Sequence, residues 1–110
     1  MDIYSQGNNL IIKIIGDIDH HSSEELRDKI DKEFFRLRCK NMVFDFNNVK
    51  FMDSSGIGMI IGRYKSIEKL GGSLCLCGIK GDLARIFEIS GLYRIINVFD
   101  SIETALKSLQ

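Results

Sequence analysis

Between Leu10 and Ile15 the chain reads Leu-Ile-Ile-Lys-Ile-Ile, apolar on both faces of an extended segment apart from Lys13. Successive side chains of a strand point to opposite faces, so such a run is expected to be covered on each side. That requires a sheet with helices packed over it, and the remainder of the chain offers them. Asp2 to Ser5 reads as a first strand, joined to Leu10–Ile15 by the turn Gln6-Gly7-Asn8-Asn9. Ser22-Ser23-Glu24-Glu25 reads as a capping box of Ser22 with Glu25, after which Leu26, Ile30, Phe34 and Leu37 recur at helical spacing. Met42 to Phe46 reads as a strand, followed by a short extended piece from Val49 to Met52. A second helix is expected from about Ser55 to Leu70. It would bury Ile57, Ile60, Ile61, Tyr64, Ile67 and Leu70, and Gly71-Gly72 would stop it.

The pattern continues with a strand over Ser73 to Cys77 and a helix carrying Leu83, Ile86, Phe87 and Ile89, closed by Gly91. Ile95 to Phe99 reads as a last short strand. Asp100 with Glu103 is expected to cap a final helix bearing Ile102, Ala105, Leu106 and Leu109. Strands alternating with helices of this length imply right-handed β-α-β units. The expected fold class is therefore α/β, a small sandwich of a mixed, mostly parallel sheet with four helices, formed by residues 1–110 as one domain.

Charge and cysteine content narrow the function classes. Fifteen basic and fifteen acidic residues leave no net charge, so no general pull toward nucleic acid or an anionic membrane is expected. No apolar run approaches the roughly 18 residues of a membrane span, and no signal segment is evident, which points to the cytoplasm. Three cysteines, an odd number, fit free thiols in a reducing interior. Cys75 and Cys77 alternate along one strand and read as small buried residues on one face. Only Cys39, His20 and His21 remain as loose metal ligands, so no metal site is expected.

The chemistry concentrates in Asn48-Val49-Lys50-Phe51-Met52-Asp53-Ser54-Ser55-Gly56-Ile57-Gly58. Here two serines follow an aspartate where a short apolar strand gives way to a helix. A helix start presents unpaired N–H groups and the positive end of the dipole, and either Asp53 or Ser54 could cap it. Gly56, Gly58 and Gly62 lack the spacing of a dinucleotide loop, and read as a turn that needs permissive dihedrals and close helix approach. As a nucleophile Ser54 would need a base and an orienting acid. His20 and His21, preceded by Asp17 and Asp19, make that grouping conceivable, but Gly-x-Ser-x-Gly is absent and no catalytic residue is assigned. A solvated loop before the first helix is the expected place for the histidines. Gly16-Asp17-Ile18-Asp19-His20-His21-Ser22 and Met52-Asp53-Ser54 should emerge on the same rim of the sheet, as neighbours and as a docking surface.

These segments carry a resemblance. Gly16-Asp17-Ile18-Asp19-His20-His21, then Phe51-Met52-Asp53-Ser54-Ser55-Gly56-Ile57-Gly58 with Gly62-Arg63-Tyr64-Lys65, then Ser90-Gly91-Leu92 resemble, in that order, the anti-sigma factor antagonists. The likeness is to their stage II sporulation type, built on the STAS domain, and it spans essentially the whole chain. It implies a transcription regulator in sporulation that is not an enzyme. The unphosphorylated antagonist binds an anti-sigma factor that is also a serine kinase, and so releases a sigma factor of the sigma-F type. Phosphorylation at the position of Ser54 ends the interaction, and a serine phosphatase restores it. ATP and magnesium belong to the kinase, and the antagonist itself carries no cofactor. The partner-binding residues implied are Asp19, His20, His21, Ser22, Asp53, Ser54, Ser55, Gly56, Met59, Gly62 and Arg63. The competing class is a small nucleotide-binding or hydrolytic enzyme using the Gly56–Gly58 loop.

Overall fold

The computed structural model describes residues 1–110. Strands β1 (Asp2–Gln6) and β2 (Asn9–Ile15) form a hairpin, and β3 (Asn41–Asn48), β4 (Leu74–Cys77) and β5 (Asn97–Phe99) follow in one sheet of order β1-β2-β3-β4-β5. Only β1–β2 is antiparallel, and every later pairing is parallel. Helices α1 (His20–Arg36), α2 (Ser54–Lys69) and α3 (Asp82–Ser90) each connect adjacent parallel strands, and α4 (Ile102–Ser108) ends the chain. A short 3-10 turn, Leu92–Arg94, precedes β5. The expected mixed, mostly parallel sheet with four helices is therefore present.

Strand parity divides the core in two. Leu10, Ile12 and Ile14 of β2, Met42, Phe44 and Phe46 of β3, and Leu74 and Leu76 of β4 face the layer formed by the connecting helices. The intervening Ile11, Val43, Cys75 and Cys77 face α4, where Ala105 is buried among Ile102, Leu106 and Leu109. Both faces are thus covered, as the run Leu10–Ile15 demanded, although Ile15 at its end is exposed. At the rim away from the strands' carboxyl ends, buried Asn41 donates to Asn9 and accepts from the Ser73 backbone, tying three segments together.

Local details depart from the sequence reading. Helix α1 starts at His20, and its capping box joins Asp19 to Ser22. The histidines therefore lie in a helical first turn, each paired with a glutamate four residues on (His20–Glu24 at 3.3 Å, His21–Glu25 at 3.1 Å). In α4 the box is Ser101 with Thr104 in place of Asp100 with Glu103. The buried stripe of α2 is Gly56, Met59, Ile60 and Ile67, with Arg63 largely covered between them. Ile57, Ile61 and Tyr64 flank it half-buried, and Leu70, past the last turn, is 61% exposed. The stripe is rotated from the expected one because α2 packs on α1 as well as on the sheet, and a glycine and an arginine are not read as interior residues. Ile89 and Ile95 are likewise exposed, since α3 meets the core through Leu83 and Phe87.

Burial, aided by the carboxylate of Asp45, pushes the Cys77 thiol up to about 12, and burial also raises Cys75. Because the thiolate is the reactive form, both should resist alkylation at neutral pH while the chain is folded. Mass spectrometry after iodoacetamide treatment should find both unmodified in the native protein and modified once denaturant is added.

Candidate functional site

The parallel strands all end on one rim, and the chain leaves β2 and β3 there by short, backbone-paired segments. The amide of Gly16 donates to Asn48 O at 3.0 Å, that of Ile18 to Phe51 O at 3.1 Å, and that of Asp53 to Ile18 O at 3.1 Å. Ile18 and Met52 form a parallel bridge with both side chains buried. This small extension of the sheet puts Asp19 and Asp53 side by side, each as the N-cap of the helix that follows. The two segments expected to be neighbours are neighbours, and two helix N-termini open on one patch of surface.

Asp53 settles the question of the cap. Its Oδ1 accepts from the Ser55 amide at 2.9 Å and from the Ser55 hydroxyl. Ser55 Oγ accepts in turn from Ser23 Oγ of α1 at 3.1 Å, and Ser23 is itself buried, 3.0 Å from the carbonyl oxygen of His20. One hydrogen-bonded chain therefore runs from α1 through Ser55 to the carboxylate that starts α2. Ser54 is left out of it. It occupies the first helical position, exposed, and the polar contacts at this junction belong to its neighbours.

The hydroxyl and amide of Ser55 hold the Asp53 carboxyl below the usual carboxylate range, against opposition from partial burial and from Asp19. Asp19 is lowered by the amide and hydroxyl of Ser22. Both groups are thus charged at neutral pH, and Ser54 stands beside two negative charges as well as two positive helix ends.

The other predicted site residues fall into two sets. His20 and His21 are exposed on the first turn of α1 with Ser22 half-buried behind them, and Gly62 is half-covered on α2. Gly56 and Met59 lie inside. A Cβ on Gly56 would overlap the side chain of Met52 and crowd Ile18 at 3.1 Å, and Met59 is 6% exposed. Gly56, Gly58 and Gly62 are all helical with ordinary negative φ, so close approach at Gly56, and no unusual dihedral, explains the first of them. Gly56–Gly58 lies in the opening turn of α2 and not in a loop. Cys39 follows the far end of α1, away from the histidines. A cleft of 320 Å³ between α1 and α2, lined among others by His20, Arg27, Ser55 and Arg63, was not legible in the sequence. An arginine on the buried stripe of α2 was its only signal.

The STAS domain family matches residues 1–105. The anti-sigma F factor antagonist of Paenibacillus polymyxa is 38% identical over 101 residues, covering 92% of this chain and 86% of that protein. The anti-sigma-B factor antagonist of Bacillus subtilis (strain 168) is 33% identical over 98 residues, 89% of this chain and 88% of that one. Among solved structures, the phosphorylated form of the Bacillus cell fate determinant SpoIIAA superposes with a TM-score of 0.76 at 26% identity, covering 99% of this chain and 98% of that one.

Two outcomes follow from the junction. Asp53→Ala should destabilise the chain by about 0.5–2 kcal/mol, the usual cost of a lost cap. Ser54→Ala should shift stability by less than about 0.5 kcal/mol, as expected of an exposed position. Urea unfolding of the two variants beside the wild type measures both. Because the folded-state values of Asp19 and Asp53 are depressed, their stabilisation is complete above the ordinary aspartate value of about 3.9 and is lost as pH falls through the lower folded values. Melting temperature should accordingly drop on acidification below about pH 4, and less steeply in Asp53→Asn.

Proposed function

The chain belongs to the STAS domain family, within which it is an anti-sigma factor antagonist, and we propose that phosphorylation of Ser54 is its switch. Unphosphorylated, it binds an anti-sigma factor that is also a serine kinase and so frees a sporulation sigma factor. The kinase, using its own ATP and magnesium, phosphorylates Ser54 and dissociates, and a serine phosphatase resets the antagonist. The chain supplies the acceptor hydroxyl and the docking surface, performs no catalysis, and works in the cytoplasm. The relatives that carry this reading are antagonists by name, and the SpoIIAA neighbour is known in a phosphorylated form.

The observation that supports Ser54 most directly is the contrast between two adjacent hydroxyls. That of Ser55 is engaged at both ends, by Asp53 and by Ser23, whereas Ser54 is exposed at the helix start. A kinase must reach a hydroxyl that can turn toward the γ-phosphate, and of these two only Ser54 offers one. Phosphorylation adds a charge of about −1.5 to −2. The N-terminus of α2 tolerates it, gaining roughly 0.3–1 kcal/mol from the dipole, so the fold persists. The partner interface responds differently, because the phosphate must be desolvated next to Asp53 and Asp19, both ionised. A loss of roughly 3 kcal/mol there would weaken binding about a hundredfold.

Incubation with the kinase and ATP followed by phosphopeptide mapping should find phosphate on Ser54 and none on Ser55. The reverse pattern would falsify the assignment. Ser54→Ala should stay bound to the kinase when ATP is supplied. Ser54→Asp, with one charge in place of nearly two, should bind more weakly by calorimetric titration while melting within a degree or two of wild type. A large fall in its melting temperature would show that the charge acts on folding, and not on the interface.

A further inference from the structure

On the rim away from Ser54, α1 and α2 end beside each other and close in the same way. In α1 the amide of Arg38 donates to Phe35 O and that of Cys39 to Phe34 O, both at 3.1 Å. In α2 the amide of Gly71 donates to Glu68 O at 3.1 Å and that of Gly72 to Ile67 O at 3.0 Å. This paired closure puts the residue after the cap in a left-handed backbone, which glycine adopts without strain. Helix α2 has Gly71 there, with φ 79°. Helix α1 has Arg38, with φ 53°, the one residue other than glycine with a positive φ in the chain. An arginine is strained in that conformation, and a strained residue kept where glycine would be free points to a use for its side chain. The helix dipole does not supply that use, because Arg36 and Lys69 already place a cation in the last turn of each helix.

Arg38 stands at a pocket of 280 Å³ between the two helix ends. Phe34, Phe35, Cys39 and Leu70 form its apolar wall, and Arg38 and Lys40 are its charged lining. Phe35 is 73% exposed and Leu70 61%, so two large apolar side chains meet water side by side with two cations. A Cβ on Gly72 would collide with the carbonyl oxygen of Lys40, so the two helix ends are pressed together and the walls are fixed. The ion pairs of the chain engage other residues, and no carboxylate lines the pocket. The surface that complements it has an apolar side chain to fill the hollow and negative charge beside that side chain. A hollow of this size takes a protruding side chain, whereas a lipid surface would lie flat across it.

We propose that this pocket docks an acidic segment of a partner protein, with one apolar side chain seated between Phe35 and Leu70 and adjacent carboxylates on Arg38 and Lys40. Leu70 lies about 24 Å along α2 from Ser54, so the contact operates whether or not Ser54 is modified. The inference does not depend on the function proposed above. It gives the chain a second docking surface at the opposite end of the same two helices.

The test selects a random library of short displayed peptides on the immobilised full chain and titrates the enriched peptides by fluorescence anisotropy. They should share an apolar residue flanked by Asp or Glu. Arg38→Gly and Leu70→Ser should each weaken their binding about tenfold or more, and Ser54→Asp should bind them as wild type does. Arg38→Gly should also melt no lower than wild type, because glycine relieves the left-handed backbone. An Arg38→Gly chain that melts well below wild type would give the arginine a structural role and overturn the proposal. So would the absence of acidic peptides among those enriched, or an affinity for Arg38→Gly within twofold of wild type. Two further measurements set the other occupants against it. Sedimentation with phosphatidylglycerol vesicles that Phe35→Ser abolishes would assign the pocket to a membrane, and a dimer in analytical ultracentrifugation that Phe35→Ser disperses would assign it to a second copy. Either result would overturn the peptide.

Discussion

The carboxylate of Asp53 is the contact on which the rim depends. It caps α2, fixes Ser55 by amide and hydroxyl, and through Ser55 reaches Ser23 of α1. Without it the start of α2 would lose its first-turn partner, and the joint between the two helices would lose its polar pin. The carboxylate can do this because the backbone beneath it is already set. The Asp53 amide is bonded to Ile18 O, and Met52 is buried beside Ile18 under Gly56. A side chain larger than glycine at position 56 would push α2 away from that floor.

The same arrangement bears on the proposed switch, because a charge added at Ser54 would fall outside the hydrogen bonds that hold the junction. Ser54 adds little to the stability of the junction because the hydrogen bonds there belong to its neighbours. Under the proposed phosphorylation, the added group would change the surface charge and not the structure beneath it. Two ionised aspartates stand close by, held charged by hydrogen bonds from Ser55 and Ser22. Two helix N-termini offset part of that charge. The balance suits a surface that accepts a neutral hydroxyl against a partner and rejects a phosphate.

Parallel topology brings these groups together. With strands in simple sequential order and helices over the sheet, segments leaving β2 and β3 must emerge on one rim. Residues more than 30 positions apart, Asp19 and Asp53, or Ser23 and Ser55, become neighbours for that reason. Covering the other face with α4 buries the two strand cysteines, and that burial raises both thiols.

The sequence by itself determined the order of elements, the α/β class, and the placing of Asp53-Ser54-Ser55 at a strand–helix junction. These follow from local periodicity and from composition at helix starts. It determined that Cys75 and Cys77 share a buried face, because strand parity is a local rule. It did not determine which residue caps α1, α2 or α4, since serines and aspartates stood at competing positions and the choice depends on where the backbone turns. Nor did it determine the face of α2. The interior stripe includes Gly56 and Arg63, whose burial reflects contact with Met52, Ile18 and α1 and not their own hydropathy. Which of two adjacent serines is free was decided by tertiary structure alone. Hydrogen bonds between α1 and α2 join residues that no sequence spacing relates, and only the fold brings them within reach.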